Sequence, residues 1–221
     1  MVCDATFYGK RKDKLGTLVF KDEISKKIVI WKHISSETIN EYKYLISELT
    51  DQGFTIKSMT IDGKRGLYRL FEEIPKQMCH FHQIAIIRRY LTRNPKLEAS
   101  IELKKIVARL TTTTETRFQN KLELWYEKYE DFLNEKTVSS TTGEEHFTHP
   151  RVRAAYRSLQ TNLSYLFTYK KLKDVHIPNT TNSLEGGVFS PMKFKINPHR
   201  GMSKSLKLKM VDEFLVSYNK K

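Results

Sequence analysis

Val2-Cys3-Asp4-Ala5-Thr6-Phe7-Tyr8 reads as a β-strand with a carboxylate inside it, and that combination governs how the rest of the chain is read. Aromatic and β-branched residues suit a pleated, half-buried ribbon, whereas Asp is depleted there, so Asp4 needs a reason. Gly9-Lys10-Arg11-Lys12-Asp13-Lys14 follows as a basic turn. Residues 15–20 read as a second strand, and a further turn leads to Ile28-Val29-Ile30-Trp31, apolar on both faces and therefore predicted to be well buried. A helix is expected next, capped at Ser35 or Ser36, with Ile39, Tyr42, Ile46 and Leu49 at helical spacing and Gly53 as a left-handed stop before Phe54. Residues 55–61 look like a strand ending on Asp62-Gly63. A short helix over Leu67, Leu70 and Phe71 is expected after it, then a strand over 77–79 and a helix through Ile84, Ile87 and Leu91.

From residue 94 to about 172 the apolar period is almost purely helical. Asn94-Pro95 reads as a cap with proline at the first helical position, and Thr112-Thr113-Thr114-Glu115 has capping-box spacing. Phe118, Leu122, Trp125, Tyr129 and Phe132, and then Val152, Tyr156, Leu159, Leu163 and Leu166, step by three and four. These stripes predict a bundle with no strand between residues 97 and 172, in which Trp125, Tyr129, Leu159 and Leu163 are mostly buried. Caps then crowd into His176-Ile177-Pro178-Asn179-Thr180-Thr181-Asn182-Ser183-Leu184-Glu185, so a helix carrying Glu185 is expected to begin between 179 and 182. The tail from Lys193 is basic, with a last amphipathic helix through Leu208, Val211, Phe214 and Leu215. The chain therefore divides by pattern into residues 1–93, a helical insertion over 94–174, and residues 175–221.

Charge points to the partner. The 221 residues carry 39 Lys+Arg against 25 Asp+Glu, a net +14, which suits a polyanion because each neutralised phosphate releases counterions. Cys3 and Cys79 are too few for a disulfide framework. No apolar run approaches the roughly 18 residues of a membrane span, and the basic start is not a signal peptide. A soluble, intracellular, DNA-associated protein of the cytoplasm, with no membrane partner, is expected.

The element order strand, strand, strand, helix, strand sets one Asp in the first strand and another at the end of the fourth. In a ribonuclease-H-like mixed sheet flanked by helices those two strands are neighbours, and a third acid from a later helix completes a cation site. Asp4, Asp62 and Glu185 are the candidates, as catalytic and metal-binding residues at once. Carboxylate oxygens are the ligands Mg²⁺ takes, and two ions about 3.5–4 Å apart can hold the attacking and leaving oxygens of an in-line displacement. Singly each acid has a plain reading: Asp62-Gly63 is a common turn dipeptide, and Glu185 on a helix is ordinarily a solvated charge. The ordered set carries the inference.

Val2-Cys3-Asp4-Ala5-Thr6, Ile61-Asp62-Gly63 with Gly66-Leu67, Cys79-His80-Phe81-His82, Asn182-Ser183-Leu184-Glu185 and His199-Arg200-Gly201-Met202-Ser203, in this order, resemble the transposases of bacterial insertion sequences related to the plant Mutator elements. The resemblance implies a DDE triad of Asp4, Asp62 and Glu185 using Mg²⁺ or Mn²⁺, with two ions. It implies DNA strand cleavage and strand transfer on transposon ends and target DNA, by a homo-oligomer assembled on DNA. It also implies a helical insertion between the second Asp and the Glu. Complete members carry a DNA-binding region before the first Asp, whereas three residues precede Asp4 here. The expectation is a fragment, a degenerate copy or a trimmed chain, impaired in recognising transposon ends.

Cys79 and His82 form a Cys-x-x-His motif of the same group. Two ligands do not make a structural zinc site, which needs four, and adjacent strand residues point to opposite faces, so a structural or DNA-positioning role is favoured. Trp125 reads as core, with the stabilising of a flipped base as the lesser alternative. Lys64, Arg65, Lys193, Lys195, His199, Arg200 and Lys204 are candidate phosphate contacts, as are Lys10, Arg11, Lys12, Lys14, Lys207 and Lys209, some of them only solubility charges. Two other functions compete: a different ribonuclease-H-like nuclease using the same acids, and an inactive DNA-binding remnant or regulator of a full-length transposase.

Overall fold

A computed structural model describes every residue except Arg65 and Lys221, and the Arg11 side chain also lies outside the described part. The chain opens with strands β1 (Val2–Tyr8), β2 (Leu15–Lys21) and β3 (Ile28–Ile34), then α1 (Ile39–Asp51), β4 (Met59–Ile61), α2 (Leu67–Leu70) and β5 (Lys76–Met78). Helices α3 (His80–Leu91), α4 (Glu98–Ala108) and α5 (Glu115–Asn134) follow. Strands β6 (Lys136–Val138) and β7 (Glu145–Phe147) separate them from α6 (Pro150–Leu166). Last come α7 (Thr168–Lys171), α8 (Asn182–Leu184), a π turn (Glu185–Phe189), α9 (Ser190–Ile196) and α10 (Lys204–Tyr218). Two compact units result: Met1–Cys79 with Thr168–Lys221, and His80–Phe167.

The first unit is α/β. Its five strands lie in the order β3-β2-β1-β4-β5, antiparallel through β1–β3 and parallel from β1 to β4 and β5. Alternation along β1 gives each face a core. Cys3, with Leu18, Phe20, Met59 and Ile61, packs against Tyr42, Leu45 and Leu49 of α1 and Leu67 of α2. Val2, with Leu15, Val19 and Ile28, packs against Leu184, Val188, Met192, Val211 and Leu215. Full burial of such a side chain contributes roughly 1.5–3 kcal/mol.

Local chemistry explains where the elements stop. β3 runs three residues beyond Trp31 because its polar end is satisfied: Lys32 pairs with Glu41 at 2.7 Å, and His33 lies between Thr17 at 3.0 Å and Asp212 at 2.9 Å. Thr38, not Ser35 or Ser36, takes the cap position of α1. The helix ends as the sequence predicts, with Gly53 at φ +83° and the Phe54 N–H donating to the Leu49 carbonyl at 2.9 Å. β4 is shorter than residues 55–61, beginning only at Met59.

The second unit is mainly helical, with α3 packed on α4 and α6, and α5 on α4 and α6. Trp125, Tyr129 and Leu159 are buried and Leu163 is half-buried. The Trp125 indole N–H donates to the Ala99 carbonyl at 3.0 Å, the bond a core tryptophan needs. Two caps fall later than expected: α4 begins at Glu98, leaving Asn94-Pro95 in a loop, and Thr114 caps α5 by accepting the Arg117 N–H. The insertion is also not all-helical. Lys136–Val138 and Glu145–Phe147 pair antiparallel around a turn that contains Gly143 at φ +69°. The hairpin escaped the periodicity argument because it is exposed and polar, held by its backbone ladder, a Lys136–Glu145 ion pair at 2.9 Å and a Thr137–Thr148 hydroxyl contact at 2.7 Å.

A buried ion pair sits at the β2–β3 turn, and a hydrogen bond from Ser183 ties it to α8. Lys21 and Glu23 are 2% and 5% exposed and lie 3.0 Å apart, Lys26 pairs with the other Glu23 oxygen at 3.1 Å, and the Ser183 hydroxyl donates to Glu23. Burial pushes the Glu23 carboxyl up, but the Ser183, Lys21 and Lys26 bonds outweigh it and leave it below its ordinary value. A depressed carboxyl stabilises the fold above its unfolded pKa of about 4.3, and that stabilisation is lost as pH falls through the lower folded value. Glu23→Ala should cost about 3–5 kcal/mol by leaving Lys21 buried and unpaired. Glu23→Gln should flatten the loss of stability below about pH 4.3, as read by urea unfolding at a series of pH values. An unchanged pH profile in Glu23→Gln would show that this carboxyl is not linked to folding.

Candidate metal centre

Asp4 sits in the middle of the central strand. It lies opposite Val19 of β2, is 7% exposed, and its Oδ1 accepts the Ala5 N–H at 2.8 Å. Pairing on both sides of β1 fixes its backbone, because a strand interior has no loop freedom. The parallel register sets Val2 against Thr60. Carried on two residues it brings Asp4 level with Asp62, which lies one residue past the end of β4.

Glu185 arrives from the other direction. Thr181 stands at the cap position of α8, and Leu184 and Val188 anchor the helix on the sheet. Where Glu185 begins the π turn, the Ser190 N–H donates to the Glu185 carbonyl five residues back, inserting one residue into the helical ladder. The following Gly186 and Gly187 are exposed, and side chains built on them would meet nothing within 4 Å. The result is that ligand oxygens of Asp4 and Glu185 lie within 4.8 Å of each other.

Among the described residues, Asp4, Asp62 and Glu185 do not form a set whose ligand oxygens are all that close. The half-buried Asp62 accepts the Lys64 N–H at 2.9 Å, closing the turn through Gly63. Gly63 is at φ +84°, and a Cβ there would stand 2.5 Å from the Met78 sulfur, so only glycine fits beside this acid. The charge of Asp62 reaches the α1 side of the sheet. Burial drives the Cys3 thiol well above its ordinary value, and the Asp4 and Asp62 charges push the same way. Burial likewise raises the Tyr42 phenol, with Cys3, Glu37 and Asp62 adding to it.

Cys79 turns out to brace Glu185. The Thr181 N–H donates to the Cys79 sulfur at 3.3 Å, and the Thr181 hydroxyl, 3.4 Å from that sulfur, donates to Glu185 Oε1 at 3.3 Å. A threonine hydroxyl has one proton, so the thiol is the donor in the sulfur–hydroxyl contact. The Cys79 N–H in turn donates to the Ile61 carbonyl at 2.8 Å, and the Thr60 hydroxyl to the Pro178 carbonyl at 2.6 Å. Strand β4 thus holds the approach to the Glu185 helix by two tethers. Thr181 carries no sequence signal for this, since its partners lie four and 102 residues away. His80 and His82 belong to the first turn of α3, not to a strand, and His80 Nε2 lies 2.6 Å from the Leu166 carbonyl.

The basic candidates are spread over several elements. Lys64 pairs with Glu37 at 3.5 Å, and Arg65 lies outside the described residues. Lys193 and Lys195 are in the last turn of α9, with Lys195 5.4 Å from the Phe214 ring centre. His199 and Arg200 are exposed in the connection to α10, and Lys204 is its first residue. No helix among the described residues is long and apolar enough to cross a membrane. No protein-family model matches the chain, and no curated protein matches it.

The Thr181 hydroxyl is wholly buried and serves two partners, so Thr181→Val, of the same shape, should lower stability by about 1–3 kcal/mol. Denaturant unfolding measures this, and a midpoint equal to that of the unmodified chain would remove the hydroxyl from the brace.

Proposed function

We propose that this chain is the catalytic domain of a DDE-type DNA transposase of the Mutator-related bacterial group, built on a ribonuclease-H-like sheet. The observation that carries the reading is the approach of the Asp4 and Glu185 carboxylates to within 4.8 Å, one from the central strand and one from a helix. The strand order β3-β2-β1-β4-β5, with Asp4 in β1 and Asp62 one residue past the end of the neighbouring parallel strand β4, supports the same reading. Hard oxygen donors of this kind suit Mg²⁺ or Mn²⁺, and Asp4, Glu185 and Asp62 are the residues that would hold the two ions. Bound ions of that type activate an attacking oxygen and stabilise a departing one.

The chain's own residues supply position. Asp4 is immobilised by its strand and Glu185 by the Cys79–Thr181 brace, so two of the three acids need little reorganisation. Asp62 joins them in this reading by turning from the Lys64 amide toward the cation. The net charge of +14 draws in DNA, and Lys64, Arg65, Lys193, Lys195, His199, Arg200 and Lys204 position its backbone without reading its sequence. Both transposon ends and target DNA are substrates here, brought together by a homo-oligomer.

With Mn²⁺ or Mg²⁺ and supercoiled plasmid, the chain should nick DNA, and with a pre-cleaved 3′-hydroxyl end it should join that end to a target strand. Asp4→Asn, Asp62→Asn and Glu185→Gln should each lower both steps by about 100-fold or more, since an amide cannot hold the cation, while DNA binding stays within about twofold. Nicking without joining in the unmodified chain would make it a nuclease. Unimpaired nicking and joining in any one variant would strike that acid from the triad.

A further inference from the structure

Lys207 is 4% exposed, yet among the described residues it has no ion pair or hydrogen bond to a side chain. It lines a cleft of about 360 Å³ with Gly9 and Lys10 from the β1–β2 turn and Asn197, His199 and Arg200 from the α9–α10 connection. Its Nζ reaches to within 4.0 Å of where a Gly9 Cβ would stand. Gly9, at φ +76°, therefore presents bare backbone to the ammonium. The one carboxylate on that turn, Asp13, has its Oδ2 3.6 Å from the same point and accepts the Lys10 N–H at 3.3 Å, but it forms no ion pair with Lys207.

Its stem is buried while its ammonium opens on the cleft, and holding that charge among further cationic side chains is costly unless an anion compensates it. We propose that this cleft is a phosphate-binding site, with Lys207 as the cation at its base and Arg200, Lys10 and His199 as donors around the mouth. A tetrahedral oxyanion matches the donor set: a point charge at the base, a planar guanidinium able to bind two oxygens, and an imidazole N–H. Inorganic phosphate and a phosphodiester of the DNA backbone share this chemistry. Only the assignment to DNA rests on the proposed transposase activity; the pocket itself does not.

Isothermal titration with inorganic phosphate, against chloride of matched ionic strength and in metal-free buffer, tests the site. The unmodified chain should bind phosphate saturably. Lys207→Met, which keeps the buried stem, should weaken it about tenfold or more, and Lys207→Arg should retain it. Lys43→Met, exposed on α1, should change nothing. If Lys207→Met unfolds by circular dichroism, Arg200→Gln and Lys10→Gln carry the test with the same expected loss. No saturable phosphate binding, or equal binding in Lys207→Met, overturns the proposal. A duplex oligonucleotide distinguishes the sources. A salt slope lower by about one in Lys207→Met identifies a backbone phosphate, and an unchanged slope with phosphate binding lost identifies the free anion. Asp4→Asn should bind phosphate normally, so a failed cleavage assay and a failed pocket are separate results.

Discussion

Strand β1 is covered on both faces, and most of the first unit follows from that constraint. Val2 and Cys3 are both fully buried against different helices, so neither face can tolerate an unsatisfied polar group at low cost. Asp4 is nevertheless there, 7% exposed, with Thr6 buried two residues on. A carboxylate in that position constrains everything around it: the neighbouring strand must hold its backbone, and the helix lying over it must bring a complementary group instead of another Leu. The helix instead brings a second carboxylate near, and oxygens so placed could hold a positive ion.

The same economy recurs in the supports. The Glu185 helix is tied to the sheet by polar side chains at three separate points: Ser183 to Glu23, Thr181 to Cys79, and the Thr60 hydroxyl to the Pro178 carbonyl. Each tie joins residues more than 100 positions apart, so the site assembles only when the first and last segments of the chain have met. Contacts of such sequence separation form late and slowly, because loop closure precedes their reward.

What the sequence revealed followed pattern strength. β1 and the C-terminal stop of α1 are legible because alternation and a glycine with φ > 0 are local signals. The end of β3 is misplaced because His33 and Lys32 depend on partners elsewhere in the fold, and Thr38 takes the start of α1 without a side-chain cap bond that a sequence signal could mark. The β6–β7 hairpin has neither apolar alternation nor a two-residue Asn-Gly or Asp-Gly turn, so nothing in residues 136–147 separates it from a polar loop. At the site, Asp4 and Glu185 were recoverable from element order and motif. The bracing role of Cys79 and Thr181 was not, since it lives in a tertiary contact, and Lys207 looks in sequence like any other charge of a basic tail.

The π turn at Glu185 has a consequence for how this segment can vary. One extra residue in the ladder shifts the phase of everything before it by about 100° relative to the apolar stripe of Val188, Met192 and Ile196. Substitution at the exposed Gly186 and Gly187 leaves that phase intact. Deletion of either would restore a regular helix and swing Glu185 off the sheet, even though no packed side chain was lost. Among related chains, length here should therefore be held more tightly than identity, a form of selection visible in alignment gaps before it is visible in residue types.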